Sequence, residues 1–357
     1  FMKNWHDTNV TISKECPWLE DSYDAMLVAE KLSIPFQVID LSKDYKKKIV
    51  DYMFEEYKKG RTPNPDILCN KEIKFDLFLD IAVSLGADYI ATGHYAQIQK
   101  SKKNSEYTYH LNAGKDKSKD QSYFLCQLNQ FQLSKTIFPI GNISKKEVRK
   151  IAKENQLITA DKKDSQGLCF IGKVKLPDFL QQSLKAKNGD VVLIDKSFYV
   201  NENKILENDI DISSQQIKYN KTDGEIIGNH KGAHFYTIGQ RKGLSIGGRE
   251  KPLYIISTDV INNIIYVGEG ADHPGLFRSS LRVYLKKLHF LSHNREILNL
   301  NNIKARIRYR QALQDVSVIK NSEFYFFNFK RPQKAISSGQ FIALYENEEL
   351  ICSGVID

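Results

Sequence analysis

Several features that define common classes of protein are missing from this chain of 357 residues. Its uninterrupted apolar stretches are short, as at 324–327, whereas a transmembrane helix needs about 20 apolar residues. A G-x-x-x-x-G-K-[ST] sequence does not occur, which excludes a Walker-type nucleotide site from these residues. There is no internal repeat and no low-complexity tract, and 41% of the residues are hydrophobic, so intrinsic disorder is excluded as the main state.

Cysteine is scarce and its pattern is not that of a metal site. The five cysteines stand at 16, 69, 126, 169 and 352, with no C-x-x-C pair, so we expect no bound structural metal. An odd number of thiols without a visible signal sequence predicts a reducing, cytoplasmic environment. The first residue is Phe1 and not methionine, which predicts that the chain begins part-way through a longer protein.

The charge balance permits a polyanionic partner without requiring one. The net charge is +9 and the pI is near 9.0. Residues 135–175 hold ten basic against four acidic side chains. This stretch is interpreted either as a contact for nucleic acid or as the solvated face of a lysine-rich helix.

Helical and strand patterns alternate through the first half of the chain. Helices are predicted at 20–33, 45–57, 71–85 and 144–155, the last opened by a capping box of Ser144 and Glu147, and strands at 34–41 and 88–91. Alternation of this kind indicates an α/β domain with a parallel, Rossmann-like sheet, whose ligands bind beyond the carboxyl ends of the strands. The loop 61–69 and the pair Gly93-His94 are expected near that edge.

The second half is mostly β. Short strands are predicted at 190–195, 198–200, 254–257 and 264–267, and from about residue 276 alternating segments at 303–309, 316–319 and 341–345 indicate a small antiparallel β-barrel. We therefore expect three domains: a catalytic α/β domain at 1–175, a central domain at 176–275 and a C-terminal β-barrel at 276–357.

Two thiols lie in segments that suit chemistry. Asp66 precedes Cys69 by three residues in a stretch stiffened by Pro63 and Pro65, and Cys169 follows the most basic stretch, where positive neighbours favour a thiolate. One of the two thiols could carry a transferable sulfur that the other releases by forming a disulfide. The alternative for both is an ordinary packed cysteine.

A row of arginines is predicted on one strand. Arg306, Arg308 and Arg310 alternate along 303–309 and beyond, which would place their guanidinium groups on one side of the sheet. Such a row grips phosphates well, and a solvated strand face is the alternative.

Taken together, seven stretches closely resemble the tRNA-specific 2-thiouridylases, which replace an oxygen by sulfur on the wobble uridine. They occur in that family's order and span the chain. They are 1–5 (FMKNW), 60–75 (GRTPNPDILCNKEIKF), 86–95 (GADYIATGHY), 119–124 (KDQSYF), 163–172 (KDSQGLCFIG), 236–248 (YTIGQRKGLSIGG) and 308–311 (RYRQ).

The resemblance implies an ATP-pyrophosphatase domain, a central domain and a C-terminal β-barrel. It implies that ATP, with magnesium, adenylates the base carbonyl oxygen and that a cysteine persulfide then supplies sulfur, ending in a disulfide. By this resemblance Cys69 is the nucleophile, Cys169 the persulfide carrier and Asp66 the general acid or base.

The resemblance also implies binding residues and partners. Met2 and Gly93 line the nucleotide, Asn64, Pro65 and Asp66 border a flipped uridine, and the persulfide comes from a cysteine desulfurase or a sulfur-relay protein. No membrane partner is implied. The residues implied to contact tRNA are His94, Lys119, Asp120, Gln121, Arg308, Tyr309 and Gln340.

One element of the family's pattern is absent. Its S-G-G-x-D-S phosphate loop belongs upstream of Phe1, so we expect these 357 residues alone to release no pyrophosphate from ATP.

Two rival functions remain at this point. A non-catalytic RNA-binding module would have no need of Cys69 and Cys169 together. An ATP pyrophosphatase acting on a small molecule would need neither the basic stretch nor the barrel.

Overall fold

The protein is described by a computed structural model over residues 1–4, 17–163, 176–181, 183–200, 209–244, 246–292, 297–300 and 302–357. The α-helices are α1 (Pro17–Lys31), α2 (Ser42–Tyr45), α3 (Asp51–Lys58), α4 (Pro65–Cys69), α5 (Phe78–Ser84), α6 (Gln130–Ser134), α7 (Lys145–Glu154), α8 (Leu176–Leu180) and α9 (Ile210–Ser214). Within the described ranges, no helix is both long enough and apolar enough to span a bilayer.

Within these described ranges the strands fall into four sheets. β1 (Met2–Lys3) pairs in parallel with β2 (Ile39–Asp40), and β3 (Ile90–Ala91) in parallel with β6 (Thr136–Ile137). A four-stranded sheet has the order β8 (Glu225–His230), β7 (Gly189–Leu193), β10 (Ile264–Glu269), β9 (Leu253–Asp259). The largest sheet contains β4 (Ala96–Lys103), β5 (Glu106–Ala113), β11 (Phe277–Tyr284), β12 (Leu288–Phe290), β13 (Ile303–Arg306), β14 (Gln314–Lys320), β15 (Phe324–Lys334), β16 (Phe341–Glu346) and β17 (Glu349–Val355).

The predicted architecture is confirmed: an α/β N-terminal domain is followed by a central and a C-terminal β domain. The helix predicted at 45–57 is confirmed within the run 42–58, in which a π-helical segment, Lys46–Val50, joins α2 to α3. The side chains that recur every four residues there are all buried: Tyr45, Ile49, Met53 and Tyr57. The capping box that opens α7 is confirmed as well.

A hairpin of the N-terminal domain completes the C-terminal sheet. β4 and β5 pair over eight residues, and β5 then pairs with β17 through Asn112 opposite Glu349 and Leu111 opposite Leu350. The apolar core beneath them is shared, since Ile67 and Tyr123 pack in one cluster with Phe341 and Tyr345. The loop that follows β5 is therefore held against the barrel. The predicted domain boundaries gave no indication that these two domains share a sheet and a core.

Three predicted strands are shorter or absent. Of 34–41 and 88–91 only β2 and β3 form, because each finds a partner strand of just two residues. Residues 198–200, predicted as a strand, are helical. There Asp195 accepts a bond from Ser197 N at 2.8 Å, which starts a helical turn in place of an extended segment.

Candidate functional site

The segment Asn64–Cys69 forms the start of a long helical run. Asn64 is the N-cap of α4, since its Oδ1 accepts a hydrogen bond from Ile67 N at 3.3 Å, and Pro65 occupies the first helical position. Both residues suit the start of a helix. The asparagine side chain bonds a backbone N–H that has no partner within the helix, and proline has no backbone N–H that would need one. A π-helical segment, Asn70–Leu77, continues the run into α5.

Asp66 and Cys69 lie on the same face of this run, one turn apart. Asp66 is partly exposed, whereas Cys69 has 0% of its surface exposed and belongs to an apolar cluster that includes Phe179 and Leu180 of α8. The arrangement therefore offers a carboxylate at the surface above a shielded thiol.

The barrel holds the entry to α4 through Gln340. Gln340 Nε2 donates to Thr62 O at 3.0 Å and to Pro63 O at 3.1 Å, while Asn64 Nδ2 lies 3.3 Å from Gln340 Oε1. Gly339 precedes it at φ +90°, and a Cβ there would stand 3.0 Å from Thr62 O. The structure thus brings together Asn64, Pro65 and Gln340, which the sequence separates by nearly 280 residues.

An aromatic pair lies beside the same helix. Asn70 Nδ2 donates to Phe124 O at 2.9 Å, and the rings of Phe124 and Tyr309 have their centroids 4.5 Å apart. The neighbouring Tyr123 hydroxyl donates to Ile307 O at 3.1 Å. Tyr309 is consequently fixed next to the helical run that carries Cys69.

His94 and Gln121 meet at a second junction. Gln121 Oε1 accepts from Tyr95 N at 2.9 Å, which ties the 119–121 loop to the end of the 90–95 segment. The ring of His94 lies 2.8 Å from Thr92 Oγ1 and packs against Phe75 and Phe138. Burial, with a smaller contribution from Lys74, lowers the pKa of His94 well below 6.5, so its imidazole is neutral at pH 7.

The predicted row of arginines is wrong. β13 ends at Arg306, whose side chain is 8% exposed and pairs with Asp120 at 2.9 Å, and residues 307–310 turn away from the strand. Arg308 instead donates to Ala335 O at 2.5 Å and to Lys334 O, and Arg310 has a left-handed φ of +61°. The alternation does not continue because the strand ends at Arg306, whose guanidinium pairs with a carboxylate inside the protein.

Two residues implied to line a nucleotide lie at strand ends. Met2 is in β1, and Gly93 follows β3 as an exposed residue whose Cα faces open space, with Ile140 Cδ1 the nearest atom, 3.9 Å from a built Cβ. The sequence reasoning missed Asn4, at the carboxyl end of β1. It is 1% exposed, and among the described residues neither its Oδ1 nor its Nδ2 has a hydrogen-bond partner. Its only signal was membership of the 1–5 stretch.

Of the cysteines other than Cys69, Cys126 and Cys352 are described by the structure. Cys169 lies outside the described residues. Cys126 and Cys352 are fully buried, and burial raises the pKa of Cys126 to about 12 and that of Cys352 further still. Both are therefore protonated packing residues. In the described part of the chain, no group of three His, Cys, Asp or Glu side chains is placed to hold a metal ion.

Three family models match the chain in succession. They are the tRNA methyl transferase HUP domain over residues 1–173, the tRNA methyl transferase PRC-barrel domain over 177–269 and the aminomethyltransferase beta-barrel domain over 280–356. A HUP domain thus precedes two β-barrel domains, in agreement with the observed order of elements.

The curated relatives are more specific. The tRNA-specific 2-thiouridylase MnmA of Christiangramia forsetii is 56% identical over 367 residues, covering 100% of this chain and 92% of the relative. The protein of the same name from Flavobacterium johnsoniae is also 56% identical with the same coverage, and that from Shouchella clausii is 43% identical over 100% of this chain and 88% of its own length. The chain belongs to the tRNA-specific 2-thiouridylase family.

Proposed function

We propose that this chain converts the wobble uridine of tRNA to 2-thiouridine in the cytoplasm, with ATP as the activating substrate and a cysteine persulfide as the source of sulfur. The observation that carries the proposal is the capped α4 segment. Its Asp66 and Cys69 share a helix face beside the Phe124–Tyr309 pair, and its entry is held by Gln340. A site of this kind combines a proton-transfer group, a thiol and an aromatic surface for a base.

The target base would be received at the entry of α4. Asn64 and Pro65 form a rigid corner there, and Asp66 is partly exposed just beyond it. A flipped base is typically held by hydrogen bonds to its edge and by stacking on apolar or aromatic side chains. In the proposal Asp66 moves the proton during exchange of oxygen for sulfur, and Tyr309 supplies a ring on which a nearby base can stack.

The two sulfur-bearing residues have separate tasks. Cys169 carries the persulfide that a cysteine desulfurase or a sulfur-relay protein delivers. Cys69 completes the release of the sulfur by forming a disulfide with Cys169. Cys69 is as fully buried as Cys126 and Cys352, so in the proposal its thiol is shielded from oxidants and becomes accessible only when the persulfide of Cys169 reaches it.

ATP, when bound, would turn the base carbonyl oxygen into a leaving group. The residues present fit its adenosine part: Gly93 leaves open space at a strand end, and Asn4 has a buried amide whose polar atoms lack partners. Met2 would pack against the base. Magnesium would accompany the triphosphate, because this ion is commonly held by substrate phosphates and only one or two carboxylates.

The remaining contacts would hold the tRNA. In the proposal Lys119 and Arg308 meet phosphates, and the neutral imidazole of His94 together with the amides of Gln121 and Gln340 orient the anticodon region. Asp120 would act through its neighbours on the same loop, because its carboxylate is buried.

The test measures 2-thiouridine by mass spectrometry of wobble nucleosides from cells whose own gene carries each variant. We expect Cys169→Ser and Cys69→Ser to abolish 2-thiouridine, and Cys352→Ala, a matched buried thiol, to retain it. Wild-type levels in either of the first two variants would overturn the proposal.

Two further measurements on purified protein separate the steps and the rival functions. A persulfide donor should load sulfur on Cys169 in Cys69→Ser but not in Cys169→Ser, while tRNA affinity stays within a few fold in both. A protein that bound tRNA without ever accepting sulfur would be an RNA-binding module. Absence of tRNA binding by the wild type would favour a small-molecule pyrophosphatase.

A further inference from the structure

We infer that Arg306 is a positioning residue for tRNA, because its buried ion pair with Asp120 fixes the loop 114–122 against the segment 307–310. In this way Lys119 and Gln121 on the loop and Arg308 and Tyr309 on the segment are presented to one RNA surface. The inference rests on the proposed function and adds to it a residue with no contact to the RNA.

The pair is enclosed on all sides. Asp120 is 2% exposed and the side chain of Arg306 is 8% exposed, with Nη2 and Oδ2 2.9 Å apart. The guanidinium lies over the ring of Tyr345, 4.7 Å from its centroid. A carboxylate in this position is not offered to solvent, so we assign the side chain of Asp120 a role inside the protein and leave the implied contact with tRNA to its neighbours Lys119 and Gln121.

Asp120 organises the loop with its second oxygen. Oδ1 accepts hydrogen bonds from Gly114 N at 3.0 Å and from Ser122 N at 3.1 Å, which closes the loop around its own carboxylate. The Ser122 hydroxyl and the Tyr345 hydroxyl are 3.0 Å apart, a further link from loop to barrel. Lys119 and Gln121 are the chain neighbours of Asp120, so the bonds that fix Asp120 also restrict where these two residues lie.

Arg306 is equally well placed on the barrel side. It is the last residue of β13, opposite Ala343 of β16, and the chain turns immediately after it. The turn is closed by Ile307 N, which donates to Gln311 Oε1 at 2.8 Å, and Ile307 O accepts from the hydroxyl of Tyr123. Displacing Arg306 would therefore move the start of the segment that carries Arg308 and Tyr309.

The geometry of the Arg306–Asp120 ion pair is not one that maximises stability. Arg306 Nε is buried and has no hydrogen-bond partner in the described part of the chain, and Arg306 contacts Asp120 Oδ2 through one nitrogen and not through a bidentate pairing. Burying charges with unsatisfied polar atoms is costly, and an apolar pair of similar size is often at least as stable. Stability does not explain why a charged pair lies at this point, whereas a role in positioning the two segments does.

The experiment compares Arg306→Gln, Asp120→Asn and the double variant with the wild type. The probe is an unmodified tRNA transcript that contains the wobble uridine, bound in a filter assay over a range of salt. We expect tRNA affinity to fall about tenfold or more in each single variant and no further in the double variant, because the two residues act as one unit. Sulfur loading on Cys169 should be unchanged.

A control separates position from general weakening. Leu281→Ala removes a fully buried side chain from the barrel core, so it lowers the melting temperature without touching the pair. It should leave tRNA affinity within about twofold. Tyr345→Phe, which removes only the hydroxyl near Ser122, serves if Arg306→Gln does not fold, and we expect it to weaken binding by a few fold.

A second readout is specific to positioning. In the wild type, Lys119→Ala should reduce the slope of log affinity against log salt by about 0.9, the value for one lost phosphate contact on a duplex. In the Arg306→Gln background it should change the slope little, since Lys119 is already displaced. Full affinity of Arg306→Gln, or an equal slope change in both backgrounds, would overturn the inference. A wild type that bound no tRNA would instead overturn the proposed function.

Discussion

Replacing Asn64 by alanine should loosen the start of the helical run that carries Asp66 and Cys69. Asn64 makes two bonds with one amide: its oxygen caps Ile67 N at 3.3 Å and its nitrogen lies 3.3 Å from Gln340 Oε1. The first is local to α4 and the second crosses to the barrel. Alanine removes both, so the expected loss has two separable parts.

The magnitude follows from these two contacts. Loss of an asparagine N-cap costs about 1 kcal/mol, and a hydrogen bond between neutral side chains contributes about 0.5–1.5 kcal/mol. Both distances are at the long end of the usual range, so we expect a total of about 1.5 kcal/mol. Asn64→Asp keeps a cap, and its charge suits a helix N-terminus, but it cannot donate to Gln340. It should recover about two thirds of the loss.

Amide hydrogen exchange is the suitable assay, because a protein with several domains does not unfold in one step. A loss of about 1.5 kcal/mol corresponds to a roughly tenfold faster exchange of the amides of Ile67–Asn70, if local opening exposes them. Amides in β15, far along the chain, should be unaffected. Equal exchange in Asn64→Ala and Asn64→Asp would show that the cap contributes nothing, and no change in either would refute the reasoning.

Three further predictions concern single side chains. Asp66→Asn should lower the formation of 2-thiouridine by about 10²- to 10⁴-fold with the melting temperature preserved, and a fall of less than fivefold would make Asp66 a structural residue. Arg308→Ala should weaken tRNA binding and reduce its salt slope by about one, and an unchanged slope would mean that Arg308 meets no phosphate. Below pH 6.5 the unfolded chain protonates His94 while burial keeps the folded one neutral, so stability should fall as the pH drops, by up to about 1.4 kcal/mol per pH unit from this residue. His94→Gln should flatten that slope when the protection of the amides of β3 and β6 is measured by hydrogen exchange between pH 7.5 and 5.5, after correction for the intrinsic exchange rate. A slope equal to that of the wild type would exclude the residue as its source.

Local patterns predicted the elements that are stabilised locally. The helix at 45–57 follows from an apolar residue in every turn, and α7 follows from its capping box. β9, β10 and β16 were each found within a few residues of their bounds because alternation and turn residues mark them. These signals lie within ten or so neighbouring residues, which is the range over which sequence reasoning works well.

The contacts that assemble the site could not be predicted, because they join distant parts of the chain. Nothing in the sequence near Asp120 indicates that its partner is Arg306, and alternation alone placed Arg306 in a row of arginines on one side of the sheet, either gripping phosphates or facing solvent. The joining of β5 to β17 is of the same kind, since pairing depends on which edge remains open after both domains fold. The resemblance implies that Gln340 contacts tRNA, but it gives no sign of the bonds from Gln340 to Thr62 and Pro63.

The candidate site lies where the N-terminal domain and the barrel are joined, and three contacts between these domains share one feature. Gln340 fixes the entry of α4, Tyr123 bonds to the carbonyl oxygen of Ile307, and Asp120 pairs with Arg306. Each link places a segment implied to meet the substrate within a few residues of a contact between domains. Interfaces between domains are ordinarily loose enough to permit relative motion, but a shared core and a shared sheet remove that freedom here. In the proposed function, the two domains therefore present the residues implied to contact tRNA on one joined surface, and RNA that met the barrel would also meet the helix that carries Cys69.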